Sequence, residues 1–295
     1  MKRCLFTGCG TALITPMTQS GKIDEGEFER LIDWQIEQGA DALVVCGTTG
    51  ESATLTDEEH ERLFRRAIST AKKRVPVIAG TGANDTAHAV RRSCMAADCG
   101  ADGLLLVTPY YNKTTQKGLV EHFKTITNQA RLPAIVYNVP SRTGMNIEPR
   151  TAKELAENEW ICGIKEASGS TAQAVRIAAL CGDDLPLYSG NDSDILSMLA
   201  LGGKGVISVV SNLMPAAAHR LCAAWEQGDF LHARKLQLSL SPLVDALFSE
   251  VNPIPIKYAM QRTGWVSGRC RLPLVELSEA KKQAIDELLM RYELI

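Results

Sequence analysis

The 295-residue chain sets 32 Lys and Arg against 34 Asp and Glu, a net charge of −2, with 45% hydrophobic and 22% charged residues. These proportions belong to a globular protein and exclude a disordered or fibrous chain. Binding to a nucleic-acid backbone needs clustered cations. The one basic run (Arg62, Arg65, Arg66, Lys72, Lys73 and Arg74) follows Asp57, Glu58, Glu59 and Glu61, the order of a solvated helix face whose charges suit the helix dipole. No nucleic-acid partner is expected.

The nine cysteines show no CxxC spacing, and several sit in apolar runs such as Leu43-Val44-Val45-Cys46. They read as small buried hydrophobes in a reducing cytosol. The five histidines lack HxH or HxxxH spacing, so no metal site is signalled. Lys2 and Arg3 are followed by an apolar stretch that Thr7, Gly8 and Gly10 break and Pro16 ends, which argues against a signal peptide. No apolar run approaches bilayer-spanning length, so no membrane association and a cytoplasmic location are expected.

Short apolar runs alternate with longer amphipathic segments. A strand at 11–14 precedes a helix at 25–38 that places Phe28, Leu31, Ile32 and Ile36 on one stripe and stops at Gly39. A strand at 42–45 precedes the capping box Thr56-Asp57-Glu58-Glu59, with Leu63, Ala67 and Ile68 at helical spacing. Strands follow at 77–79, 103–107, 134–137, 161–165, 187–189 and 205–208, with helices at 115–130, 148–158, 170–180 and 192–201. Eight strand–helix alternations predict a (β/α)8 TIM barrel. The rival is a doubly wound dinucleotide-binding sheet. Its GxGxxG fingerprint fails at Gly8-Cys9-Gly10, where Leu13 takes the third glycine's place, and at Gly80-Thr81-Gly82, where Asp85 does. Gly202-Gly203-Lys204-Gly205 lacks Walker spacing. Beyond about residue 225 the pattern is helical, at 229–240, 242–250, 256–262 and 278–292. The expected division is a catalytic barrel over residues 1–225 and a C-terminal helical region over residues 226–295 packed on it.

Barrel enzymes carry their chemistry where strands end. The second predicted strand ends in Gly47-Thr48-Thr49-Gly50-Glu51, the fourth in Thr108-Pro109-Tyr110-Tyr111-Asn112, the fifth in Tyr137-Asn138-Val139-Pro140-Ser141-Arg142 and the sixth in Lys165-Glu166. Lys165 follows the apolar run Ile161-Cys162-Gly163-Ile164. Burial there lowers the pKa of an ammonium and yields an amine able to form a Schiff base with a ketone. Pairing with Glu166 is disfavoured, because neighbouring strand residues face opposite ways. Tyr137, one strand away, can shuttle protons, or simply cap the core with its hydroxyl in water. Thr48 and Thr49 offer hydroxyls, although Gly-Thr-Thr-Gly also makes a tight turn without function. Arg142 can grip a carboxylate, or serve a loop salt bridge.

Together Gly47-Thr48-Thr49-Gly50-Glu51, Tyr137-Asn138-Val139-Pro140-Ser141-Arg142-Thr143-Gly144 and Gly163-Ile164-Lys165-Glu166 resemble the pyruvate-dependent class I aldolase family. Gly80-Thr81-Gly82-Ala83-Asn84, Gly202-Gly203-Lys204-Gly205-Val206-Ile207-Ser208 and Asn252-Pro253-Ile254-Pro255 carry the resemblance along the whole chain. It implies that Lys165 forms the imine with pyruvate, that Tyr137 relays protons with Thr48 beside it, and that Tyr111 is the relay member contributed across a subunit boundary. It implies that Thr49 and the backbone of Ile207 hold the pyruvate carboxylate and that Arg142 receives the carboxylate of L-aspartate 4-semialdehyde. The implied reaction is their condensation, the first step toward diaminopimelate and lysine, with no metal, no dissociable cofactor and a homotetramer built as a dimer of dimers. A sibling on the same scaffold, N-acetylneuraminate lyase, resembles Gly-Ser-Thr-Gly-Glu and lacks the arginine, so the second hydroxyl pattern and Arg142 favour the synthase branch. A catalytically silent metabolite-binding barrel is expected to lose Lys165 or Tyr137, and both are present. In lysine-sensitive members an allosteric pocket uses positions matching Ser52, Ala53, His60, Asn84 and Tyr110. His88 stands where those members carry a glutamate, and Asp57 where some carry a histidine.

Overall fold

A computed structural model describes residues 4–265 and 269–295; Lys2 and Arg3 lie outside them. Eight parallel strands close into a barrel in chain order: β1 (Gly8–Ala12), β2 (Ala42–Val45), β3 (Val77–Gly80), β4 (Gly103–Val107), β5 (Ala134–Asn138), β6 (Ile161–Glu166), β7 (Leu187–Ser189) and β8 (Gly205–Ser208). Between them run α1 (Glu25–Glu37), α2 (Asp57–Ala71), α3 (Thr86–Cys99), α4 (Gln116–Ala130), α5 (Pro140–Thr143), α6 (Pro149–Ala156), α7 (Thr171–Cys181) and α8 (Ile195–Ala200). After β8 come α9 (Pro215–Glu226), α10 (Phe230–Leu247), α11 (Ile254–Arg262) and α12 (Glu279–Arg291). This is the expected (β/α)8 barrel with a helical tail.

The period of two sorts each strand into two cores. Ala42, Val44, Ile78, Leu105, Ile135 and Ile207 fill the barrel interior. Leu43, Val45, Ala79, Leu104, Leu106 and Val136 face the helices. Burial on both faces explains why the strands read as continuous apolar runs. The interior is plugged at the N-terminal end of the strands by Phe6, stacked on Tyr188 with ring centroids 4.6 Å apart, and the Tyr188 hydroxyl donates to the Phe6 carbonyl at 2.7 Å.

The capping box forms as expected. The Glu59 amide donates to Thr56 Oγ1 at 3.2 Å, and the Thr56 amide to Glu59 Oε2 at 3.0 Å. The basic run on α2 bridges to α1 through Arg66 with Glu25 at 3.0 Å and Glu29 at 2.8 Å, all partly exposed. No helix among the described residues is long and apolar enough to cross a membrane.

Three expectations need correction. The first strand is Gly8–Ala12, not residues 11–14. Its glycines resemble loop residues but are required by packing: a Cβ at Gly8, whose φ is +105°, would collide with the Asp41 carboxylate, and one at Gly10 would lie 2.8 Å from the Phe6 ring. The two helices expected at 229–240 and 242–250 are one, α10, with Pro242 inside it. Proline costs a helix interior about 3 kcal/mol, and here the apolar face Leu240, Leu243, Val244 and Leu247 continues in register across it and is buried. The segment at 192–201 opens as a 3₁₀ turn, Asp192–Asp194, before α8 begins. Helices α3 and α9 lie outside the helical segments that the sequence pattern predicts; α3 starts at an Asp85 cap whose carboxylate accepts from the Ala87 amide at 3.0 Å.

Candidate active site

β5 and β6 pair Tyr137 with Lys165, at the C-terminal end of the barrel. Lys165 points inward and is 5% exposed. Glu166 points the other way and accepts from Asn138 Nδ2 at 2.9 Å, Gln173 Nε2 at 3.2 Å and the Ser168 amide at 2.7 Å. The Lys165–Glu166 ion pair therefore does not form. Lys165 Nζ lies 4.3 Å from the centroid of the Tyr137 ring. Burial pushes the Lys165 ammonium down to about 7; Asp192 opposes the shift and Arg142 adds to it. A large fraction of this lysine is thus free amine at neutral pH. Burial pushes the Tyr137 phenol up to about 12, against the pull of Arg142, so it keeps its proton.

The turn after β2 is fixed by its own backbone and by the helical tail. Cys46 and Glu51 both adopt left-handed backbone, with φ of 56° and 59°. Glu51 turns its carboxylate inward onto Lys257 Nζ of α11 at 2.7 Å, with both side chains essentially inaccessible to solvent. Its second oxygen accepts from the Arg271 amide at 2.8 Å, and Arg271 forks onto Glu59 at 2.6 and 2.7 Å. Thr48 and Thr49 are thereby presented to the barrel mouth. Thr49 Oγ1 accepts from Asn252 Nδ2 at 3.0 Å. The exposed Arg142, on α5, donates through Nη2 to the Asn252 carbonyl at 3.1 Å.

A cavity of about 370 Å³ opens here, lined by Thr48, Thr49, Tyr137, Arg142, Lys165 and Asn252. One electrophilic ketone beside Lys165 would have hydroxyl donors on one side, a phenol on another and a guanidinium at the mouth. At the end of β8 the lining comes from Val209, while the Ile207 side chain is wholly buried inside the barrel. The carboxylate of Asp192 holds this strand end by accepting the Val209 and Val210 amides at 2.9 Å each. Tyr111 does not join the site: it is 92% exposed, with φ of 70°.

A neighbouring cavity of about 460 Å³ shares Thr48, Tyr137 and Arg142 and extends past Ser52, Ala53, His88, Arg92 and Tyr110. His60 is buried beneath it, hydrogen-bonded to Ser52 Oγ at 3.0 Å and the Thr56 carbonyl at 2.9 Å, and burial pushes its pKa down to about 4. Asn84 contributes its carbonyl to Asn112 Nδ2 at 2.8 Å and is not among the lining residues. Asp57 is engaged by His88 Nε2 at 2.9 Å and Arg92 Nη2 at 2.8 Å, which hold its carboxyl down to about 2. Among the described residues, no cluster of His, Cys, Asp and Glu is placed to hold a metal ion.

The sequence alone marks no role for Asn252, Lys257, Arg92 or Asp192. Asn252 carries a faint signal in Asn252-Pro253-Ile254-Pro255; the others become visible only when the chain is folded.

A closed barrel with a buried lysine of lowered pKa at the end of its sixth strand, over the ring of a tyrosine that keeps its proton, defines a lyase of the class I aldolase type. The chain belongs to the dihydrodipicolinate synthetase family, whose model matches residues 5–291. It is 50% identical over 295 residues to the 4-hydroxy-tetrahydrodipicolinate synthase of Acetivibrio thermocellus, covering 100% of both chains. It is 49% identical over 288 residues to that of Caldicellulosiruptor bescii, covering 98% of this chain and 97% of that one. The crystal structure of dihydrodipicolinate synthase from Thermotoga maritima superposes with a TM-score of 0.97 at 41% identity, covering 99% of this chain and 100% of that one. The enzyme from Acinetobacter baumannii, complexed with pyruvate, superposes with a TM-score of 0.96 at 41% identity, covering 98% and 99%.

Proposed function

We propose that the chain condenses pyruvate with L-aspartate 4-semialdehyde, through an imine on Lys165, to give 4-hydroxy-tetrahydrodipicolinate. The observation that carries this reading is the buried Lys165 amine, with its pKa brought to about 7, lying 4.3 Å from the Tyr137 ring centroid. The free amine attacks the keto carbon of pyruvate. The carbinolamine loses water, with Tyr137 and Thr48 carrying protons to and from the departing oxygen. Loss of a methyl proton gives the enamine, whose carbon attacks the aldehyde. The α-amine of the semialdehyde then displaces Lys165 from the imine carbon, closing the ring and restoring the enzyme.

Thr49 and the backbone around Ile207 hold the pyruvate carboxylate, and Arg142 at the mouth holds the carboxylate of the second substrate. The exposed Tyr111 serves the site of a neighbouring subunit in a homotetramer arranged as a dimer of dimers. The names of the relatives and Arg142 support synthesis over sialic-acid cleavage. The enzyme acts in the cytoplasm, without a cofactor. Ser52, Ala53, His88 and Tyr110 line a regulatory pocket beside the site, with His60 buried beneath it and Asn84 outside its lining.

The test is sodium borohydride reduction with pyruvate. It should add one reduced pyruvyl group per chain, mapped to Lys165. A coupled assay with both substrates should show turnover. An adduct on another lysine would overturn the assignment.

A further inference from the structure

We propose that Asn252 is a positioning residue that sets the direction of the Thr49 hydroxyl and so determines how tightly pyruvate is held; this rests on the pyruvate-binding role of Thr49 given above. Asn252 lies just after α10 and lines both cavities. It is 6% exposed, and it approaches Thr49 from 203 residues away in sequence. Its Nδ2 donates to Thr49 Oγ1 at 3.0 Å. A hydroxyl that accepts such a bond keeps its own proton for another partner. Among the described residues, no acceptor takes the Thr49 hydroxyl proton, and Thr49 faces the cavity that holds Lys165. The proton is therefore left to an anion bound there.

The reverse orientation of the carboxamide would turn Oδ1 to Thr49 and draw that proton away from the cavity. Asn252 Oδ1 is instead buried with no hydrogen-bond partner among the described residues. In the observed orientation Nδ2 is paired with Thr49 Oγ1 at 3.0 Å and Oδ1 does not compete for the hydroxyl proton.

The main chain of the same residue acts separately. Its carbonyl accepts Arg142 Nη2 at 3.1 Å, so changing the side chain leaves the Arg142 support in place. One residue thus adjoins both carboxylate sites by two independent groups, and a substitution of the side chain addresses only the first.

The experiment is steady-state kinetics of the full chain with each substrate varied in turn, for Asn252→Ala, Asn252→Asp, Thr49→Val and the double variant Thr49→Val/Asn252→Ala. Asn252→Ala should raise KM for pyruvate about tenfold, the worth of one hydrogen bond of ordinary strength. It should leave kcat and KM for the semialdehyde each within about twofold, less than one lost hydrogen bond of ordinary strength. Asn252→Asp is isosteric but can only accept when ionised; it should raise KM for pyruvate further, by capturing the Thr49 proton and adding like charge. In the Thr49→Val background, Asn252→Ala should change KM less than about twofold, because the hydroxyl it directs is gone. KM does not depend on the fraction of chain that is folded, so poor folding lowers kcat alone and leaves the test intact. Undiminished pyruvate binding in Asn252→Asp, or multiplicative effects of the two substitutions, would overturn the proposal. Borohydride trapping on the unsubstituted enzyme keeps the two claims apart: an adduct at Lys165 with multiplicative substitutions sinks the Asn252 role alone, and no adduct sinks the reading on which it rests.

Discussion

Replacing Lys257 with Met isolates what the helical tail contributes to the catalytic turn. Lys257 and Glu51 are 2.7 Å apart with side-chain exposures of 0% and 1%. At that separation, with an effective dielectric constant of ~20, their attraction is about 6 kcal/mol. Desolvating two ions costs several kcal/mol each, so the intact pair is near break-even against a hydrophobic pair. Removing one partner is different, since the carboxylate of Glu51 stays buried with the Arg271 amide, at 2.8 Å, as its remaining partner. The expected cost is about 3 kcal/mol, the low end for a broken buried pair because that amide remains. Differential scanning calorimetry should show a fall of roughly 5 °C in the unfolding midpoint, since a 295-residue chain unfolds with an entropy of about 0.6 kcal/mol/K. The conservative double replacement Glu51→Gln/Lys257→Met should recover most of the loss, since no buried charge is then left. Activity should fall with Lys257→Met even well below the midpoint, as the turn bearing Thr48 and Thr49 loses its anchor. A midpoint within about 1 °C of the parent, less than ~1 kcal/mol, would refute this account of the pair.

Lys165→Ala should abolish borohydride-trapped pyruvate and lower turnover by at least about a thousandfold, because among the described residues no other amine lines the cavity; residual trapping at wild-type stoichiometry would contradict this. The acid limb of the rate of imine formation should follow the amine that is brought to about 7. The attacking form is the free base, so the rate falls as pH drops, by about tenfold between pH 8 and pH 6; a flat stopped-flow profile over that range would contradict the shift. Arg142→Ala should raise KM for the semialdehyde by about tenfold or more while sparing imine trapping, as expected for loss of a charge-assisted hydrogen bond; unchanged semialdehyde kinetics would remove its role. Lysine should inhibit weakly. The carboxylate of Asp57 is already engaged by His88 and Arg92, so a lysine α-ammonium finds cationic and imidazole groups where a free carboxylate is needed. Half-inhibition at submillimolar lysine would show that this trio does not govern the pocket.

The placement of Lys165 and Tyr137 was legible in the sequence because its signal is local: each ends an apolar run long enough for a buried strand, and the two strands pair them. The strands at Ala42–Val45, Gly103–Val107, Leu187–Ser189 and Gly205–Ser208 fall where their apolar runs placed them. The first strand did not, because its glycines answer to Asp41 and Phe6 rather than to any local preference. Pro242 misled for a related reason: a buried face extending over 18 residues outweighs one missing donor. Asn252 and Lys257 were illegible as site residues because their partners lie 203 and 206 positions away, and nothing in either segment alone encodes such a pairing.

The anchoring of the second turn by the tail also orders events in time. A chain made from its N-terminus has all eight strands, Gly8 through Ser208, in hand before Asn252, Lys257 and Arg271 exist. Until then the Glu51 carboxylate lacks the cation it faces in the finished molecule, and the Thr49 hydroxyl lacks the amide that directs it. Synthesis of the strands and anchoring of the second turn are therefore separated along the chain, and the turn that bears Thr48 and Thr49 gains its partners only when the last quarter of the chain docks.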